Sequence, residues 1–80
     1  MNMRVKSSVV SDARGMSAAE FKSWLELMGY TGAAAAKALG ISKASVSNYQ
    51  REGAPASIRL ACRVLYPRQG EAVYPWERAA

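Results

Sequence analysis

Histidine is absent from this 80-residue chain, and cysteine occurs once, at Cys62. Without histidine there is no imidazole general base, no Cys–His dyad and none of the usual Cys/His zinc sets. A single thiol cannot close an intramolecular disulfide, so nothing points to an oxidising compartment. Long apolar runs are missing too. The longest is Ala33 to Ala36, far short of a membrane span. The opening MNMRVKSSVVSDARG lacks the apolar stretch of a secretory signal. Glu20 and Glu26 have no partner arrangement that suggests acid–base catalysis. These absences predict a non-enzymatic protein with no catalytic residue, no metal, no cofactor and no small-molecule ligand, in a cytoplasmic setting.

What is present is globular: half the residues are apolar and 21% are charged. A chain of this length holds one small core. Eleven Lys/Arg against six Asp/Glu leave a net charge of +5. The surplus is uneven. Residues 31–63 carry Lys37, Lys43, Arg51, Arg59 and Arg63 against Glu52 alone, and residues 1–15 add Arg4, Lys6 and Arg14 against Asp12. Basic side chains set near phosphates release counterions, so a nucleic-acid partner is one reading. A solubilising surface is the other, and charge alone does not choose between them.

Residues 1–15 have no helical period and read as an N-terminal arm. At Ser17 the pattern changes. Ser17 and Glu20 have capping-box spacing, and Phe21, Trp24, Leu25 and Met28 then form one apolar helical stripe that ends at Gly29. Thr31 can cap a second helix through Leu39, and Gly40 suits a left-handed turn. Ser42 can cap a third helix from Lys43 to about Glu52, with Val46 and Tyr49 facing inward and Gly53 ending it. Pro55 fits the first turn of a fourth, where Ile58, Ala61, Cys62 and Leu65 repeat the stripe before Pro67. The predicted fold is all-α: a compact bundle of four or five helices, with an arm over 1–15, a core domain over 16–66 and an aromatic tail over 67–80.

The stretch from Ala35 to Tyr49 holds small Ala36, turning Gly40, apolar Leu39 and Ile41, and then Val46 and Tyr49. This wording resembles the helix-turn-helix of the Cro/repressor-type (XRE-like) family of small bacterial and phage transcriptional regulators, over roughly residues 17–66. The resemblance implies that the second motif helix enters the major groove of a double-stranded DNA operator. By position, Lys43, Ala44, Ser47 and Asn48 would meet bases, with Asn48 suited to adenine N6/N7 and Lys43 to guanine or phosphate. Thr31, Ser42, Ser45 and Arg51 would meet phosphates. Two departures stand out. Gly32 occupies a position where the family commonly has a backbone-clamping glutamine, and Gly53 comes one residue later than is usual.

The fourth helix also carries Leu60 and Val64, an apolar surface wider than one core face requires. The tail adds Tyr66, Val73, Tyr74 and Trp76. Leu60, Val64, Tyr74 and Trp76 therefore make a predicted homodimer interface; a tail folded back on its own bundle is the alternative. With this interface, the resemblance implies a homodimeric DNA-binding repressor or autoregulator of phage or mobile-element type. The rival is an antitoxin-like or adaptor module that binds protein. An RNA-binding role is weaker, since no aromatic platform is evident.

Overall fold

The computed structural model of the chain describes residues 14–70 and 73–79, and among them the architecture is all-helical. Five helices follow in order: α1 (Ala18–Met28), α2 (Gly32–Leu39), α3 (Lys43–Glu52), α4 (Ala56–Leu65) and α5 (Pro75–Ala79). Of the arm expected over 1–15, including Arg4 and Lys6, all but Arg14 and Gly15 lies outside the described residues.

Local chemistry sets the first three helix starts. Ser17 Oγ accepts the Glu20 amide at 3.1 Å while Glu20 Oε1 accepts the Ser17 amide at 2.8 Å, a reciprocal capping box. Thr31 and Ser42 each accept the amide three residues on, both at 3.1 Å. The ends of α1 and α2 close alike. Gly29 and Gly40 both sit at φ 71°, and the residue after each donates back five positions, Tyr30 to Leu25 and Ile41 to Ala36, at 3.0 Å. A fourth start differs from expectation by one position. Pro55 stands just before α4 in extended conformation, and its carbonyl accepts the amides of Ile58 and Arg59.

Gly53 has a different task from the other caps. Its φ of 95° with ψ of 173° is a region open essentially to glycine alone. A Cβ there would lie 2.5 Å from the Met16 carbonyl oxygen. The close approach exists because Met16 and Ala54 exchange two 2.9 Å backbone hydrogen bonds, a single antiparallel bridge that ties the entry of α1 to the entry of α4.

The core gathers Phe21, Trp24 and Leu25 from α1, Ala35 and Ala36 from α2, Val46 from α3, Ile58 and Cys62 from α4, and Trp76 from α5. α1 packs on α3 and α5, and α2 packs on α3 and α4. The two buried residues of α2 are both alanines, which lets α3 cross close to it, while Leu39 packs half-buried at its end. Burial in apolar surroundings pushes the Cys62 thiol up to about 12, so it behaves as a small core hydrophobe.

One expected interface is corrected here. Tyr74 and Trp76, assigned from sequence to a dimer contact, are 5% and 0% exposed within a single chain. Trp76, Tyr66 and Tyr74 stack against one another with ring centroids 5.0–5.6 Å apart, so the tail completes its own core. Leu60 and Val64 are 45% and 73% exposed.

Candidate nucleic-acid interface

α3 divides cleanly between anchor and outer face. Val46 is buried, and the half-buried Tyr49 ring meets Phe21 of α1 edge-on, with centroids 5.6 Å apart at 81°. At about 100° per residue, Lys43, Ala44, Ser47, Asn48 and Arg51 fall within an arc of roughly 140° on the other side. All five are exposed. The face carries two cations, an amide, a hydroxyl and a methyl group, and Glu52 is the sole carboxylate of α3. The anchoring matters because a helix can read a groove only if its rotation about its own axis is held.

Free backbone amides and short hydroxyls lie at both helix entries nearby. A Cβ built on Gly32, the first residue of α2, would stand 3.9 Å from Val46 Cγ1, so the start of α2 lies against the middle of α3. Thr31 Oγ1 is used as acceptor for Ala34, and its hydroxyl hydrogen faces no acceptor among the described residues. Ser42 Oγ accepts from Ser45 N–H and donates to Ser45 Oγ at 3.1 Å, which leaves the Ser45 hydroxyl hydrogen as the outward donor of the pair. Thr31 and Ser42 are exposed, and Ser45 is half-buried. Donors of this kind at helix N-termini suit phosphate oxygens.

Two arrangements went undetected by sequence reasoning. In the first, Arg51 Nη2 donates to Asn48 Oδ1 on the outer face of α3. Their three-residue spacing is the signal that could have found it. The second is remote from α3. Arg59, counted from sequence with the surface cations, is buried and lies 3.1 Å from Glu77. Arg63 grips the same carboxylate with Nε at 3.0 Å and Nη2 at 2.9 Å, and its guanidinium sits 4.9 Å from the Tyr74 ring centroid. Burial opposes ionisation of Glu77, but the Arg63 hydrogen bond, the Tyr74 amide and the two positive charges outweigh it and hold the carboxyl below its ordinary value. No local pattern foretells this cluster, since its carboxylate lies 14 or more residues from either arginine.

Among the described residues there is no pocket, no group of side chains able to hold a metal ion, and no helix long and apolar enough to cross a membrane. No family model, curated protein or solved structure matches the chain.

Proposed function

We propose that the chain is a sequence-specific double-stranded-DNA-binding transcriptional regulator, a homodimeric repressor or autoregulator in which α2, the turn at 40–42 and α3 work as a helix-turn-helix. The observation that carries this reading is the division of α3, a helix fixed to the core by Val46 and Tyr49 that presents a continuous basic and polar face. The major groove, about 12 Å wide, admits one such helix. Lys43, Ala44, Ser47 and Asn48 then face base edges. Thr31, Ser42, Ser45 and Arg51 face the backbone, where they set register and supply the salt-dependent part of the affinity.

Leu60 and Val64, one turn apart on α4, form the apolar strip on which a second copy pairs about a twofold axis. Such pairing sets two recognition helices about 34 Å apart, matching the half-sites of a palindromic operator. Bound there, the protein represses by occupying the promoter.

The test is selection from random duplexes at near-physiological salt, with mass in solution recorded alongside. An inverted repeat recovered by a dimer supports the reading. Weak, salt-sensitive and sequence-blind binding refutes it. The exposed Leu60, Val64 and Val73 favour a second reading, an adaptor or antitoxin-like module that binds protein. That reading predicts that Leu60→Glu abolishes the cellular phenotype while Lys43→Ala and Asn48→Ala leave it intact.

A further inference from the structure

The chain ahead of α1 is tied to one corner of the bundle. Met16 and Ala54 exchange two backbone hydrogen bonds of 2.9 Å, and Gly15 lies so near the Ala54 carbonyl that a Cβ there would overlap it. Gly53, the C-terminal cap of α3, lies against the Met16 carbonyl. Arg14 Nη1 is 3.7 Å from Glu20 Oε2, on a side chain only 5% exposed. This fixes the place from which residues 1–13 begin: the junction of α3 and α4, beside the last turn of α3 that carries Arg51. The corner has little free positive charge of its own, since Glu52 is exposed there and Arg14 is shared with Glu20. The chain that leaves it carries Arg4 and Lys6 against Asp12. The stretch from Arg4 to Arg14 spans at most about 33–36 Å, close to one turn of duplex at about 34 Å. The tether is therefore long enough to bring both cations to duplex beside the site that α3 would occupy.

We infer that Arg4 and Lys6 bind phosphates of the duplex flanking each half-site, extending the backbone contact beyond the end of α3. The inference rests on the DNA-binding reading above and adds a second anchor to it. Cations that neutralise phosphates release counterions but read no bases. The anchor therefore acts on affinity and its salt dependence, and leaves sequence preference to α3.

The experiment compares the full chain with three double variants. The first, Arg4→Ala with Lys6→Ala, removes the anchor, and the second, Arg4→Lys with Lys6→Arg, keeps its charge. The third, Lys22→Ala with Arg68→Ala, removes the same charge from exposed positions on α1 and just past α4. Each protein is melted, put through duplex selection and titrated from 50 to 200 mM salt on the duplex the wild type selects, with hydroxyl-radical protection mapping the backbone. The first variant should keep the melting temperature and the selected sequence but lower the salt slope by about two. Its affinity deficit should then shrink about 12-fold over that salt range. It should also lose protection at backbone positions outside the half-sites. The second and third variants should keep the wild-type slope and footprint. An unchanged slope or footprint in the first variant overturns the inference. So does a change in its selected bases, or a lower melting temperature, which would place the two side chains on the bundle instead. An equal fall in slope in the third variant overturns it too, because net charge would then be the cause. Failure of the wild type to select any sequence is a different result, and it removes the DNA-binding reading along with the inference.

Discussion

Glu77→Gln should cost this small domain a large share of its stability. The Glu77 side chain is 4% exposed and the Arg59 side chain 5%, with Arg59 Nη2 3.1 Å from Oε2. Oε1 takes Arg63 Nη2 at 2.9 Å and the Tyr74 amide at 3.1 Å. Glutamine keeps the shape but removes the charge, and either orientation of its amide aims an NH2 group at donors, since Oε1 faces Arg63 and the Tyr74 amide while Oε2 faces Arg63 and Arg59. Breaking a buried ion pair by deleting one partner costs about 3–5 kcal/mol. A domain of this length has roughly 4–12 kcal/mol in total, so the variant sits near the margin. Even a loss of about 3 kcal/mol corresponds to a drop in Tm of roughly 12–24 °C.

The pH dependence has a definite sign. The folded-state pKa of Glu77 lies below the ordinary 4.5, so the unfolded chain takes up the proton first as pH falls. The contribution of the carboxylate is therefore complete above that ordinary value and disappears as pH drops through the folded-state pKa. Urea denaturation followed by circular dichroism, on both proteins at about pH 7 and about pH 3, reads this directly. The gap between them should be wide at the higher pH and shrink at the lower. A gap under about 1 kcal/mol at neutral pH, or one unchanged by acid, would refute the argument.

Three further outcomes follow from the packing. Gly53→Ala should lose about 1–3 kcal/mol, because it forces a side chain into a glycine-only conformation and against the Met16 carbonyl; an unchanged urea midpoint would contradict the bridge. Gly32→Ala should instead gain about 0.4–1 kcal/mol, since its Cβ meets Val46 at an ordinary contact distance and the unfolded chain loses freedom; a lower midpoint would count against it. Cys62, fully buried and with its thiol pushed up to about 12, should react with a thiol reagent only as fast as the protein opens, so prompt labelling of the native state would show that the core is misplaced.

Much of the helical frame is legible in the amino-acid order alone. The caps at Ser17, Thr31 and Ser42 and the turns at Gly29 and Gly40 are short-range devices, each formed by residues within five positions of one another. The stripe of α1 is legible for the same reason, as is the inward pair Val46 and Tyr49. Side-chain repeat and helical repeat coincide, so the pattern needs no partner to be read. The one-position shift at Pro55 belongs to the local class too, since proline before a helix and proline in its first turn share the same φ.

The tail shows where that legibility stops. An apolar residue in a sequence declares that it will be covered, not by what. By pattern alone Tyr74 and Trp76 read as a contact with a second copy, with their own bundle as the alternative, and only the docking of α5 on α1 decides for the bundle. Arg59 is the converse case, a cation whose sequence neighbours suggest solvent and whose burial depends on a carboxylate eighteen positions away. Gly53 marks a helix end in the sequence, but its unusual backbone follows from Met16 crossing beside Ala54. The sequence by itself determined that the four segments from Ala18 to Leu65 are helical, where they start and stop to within a residue, and which faces are apolar, because those depend on hydrogen bonds and side-chain directions within one or two turns. The tertiary structure alone decided which apolar face meets which and which charges are buried together. Those choices are made by contacts between distant segments, and no local pattern encodes the partner.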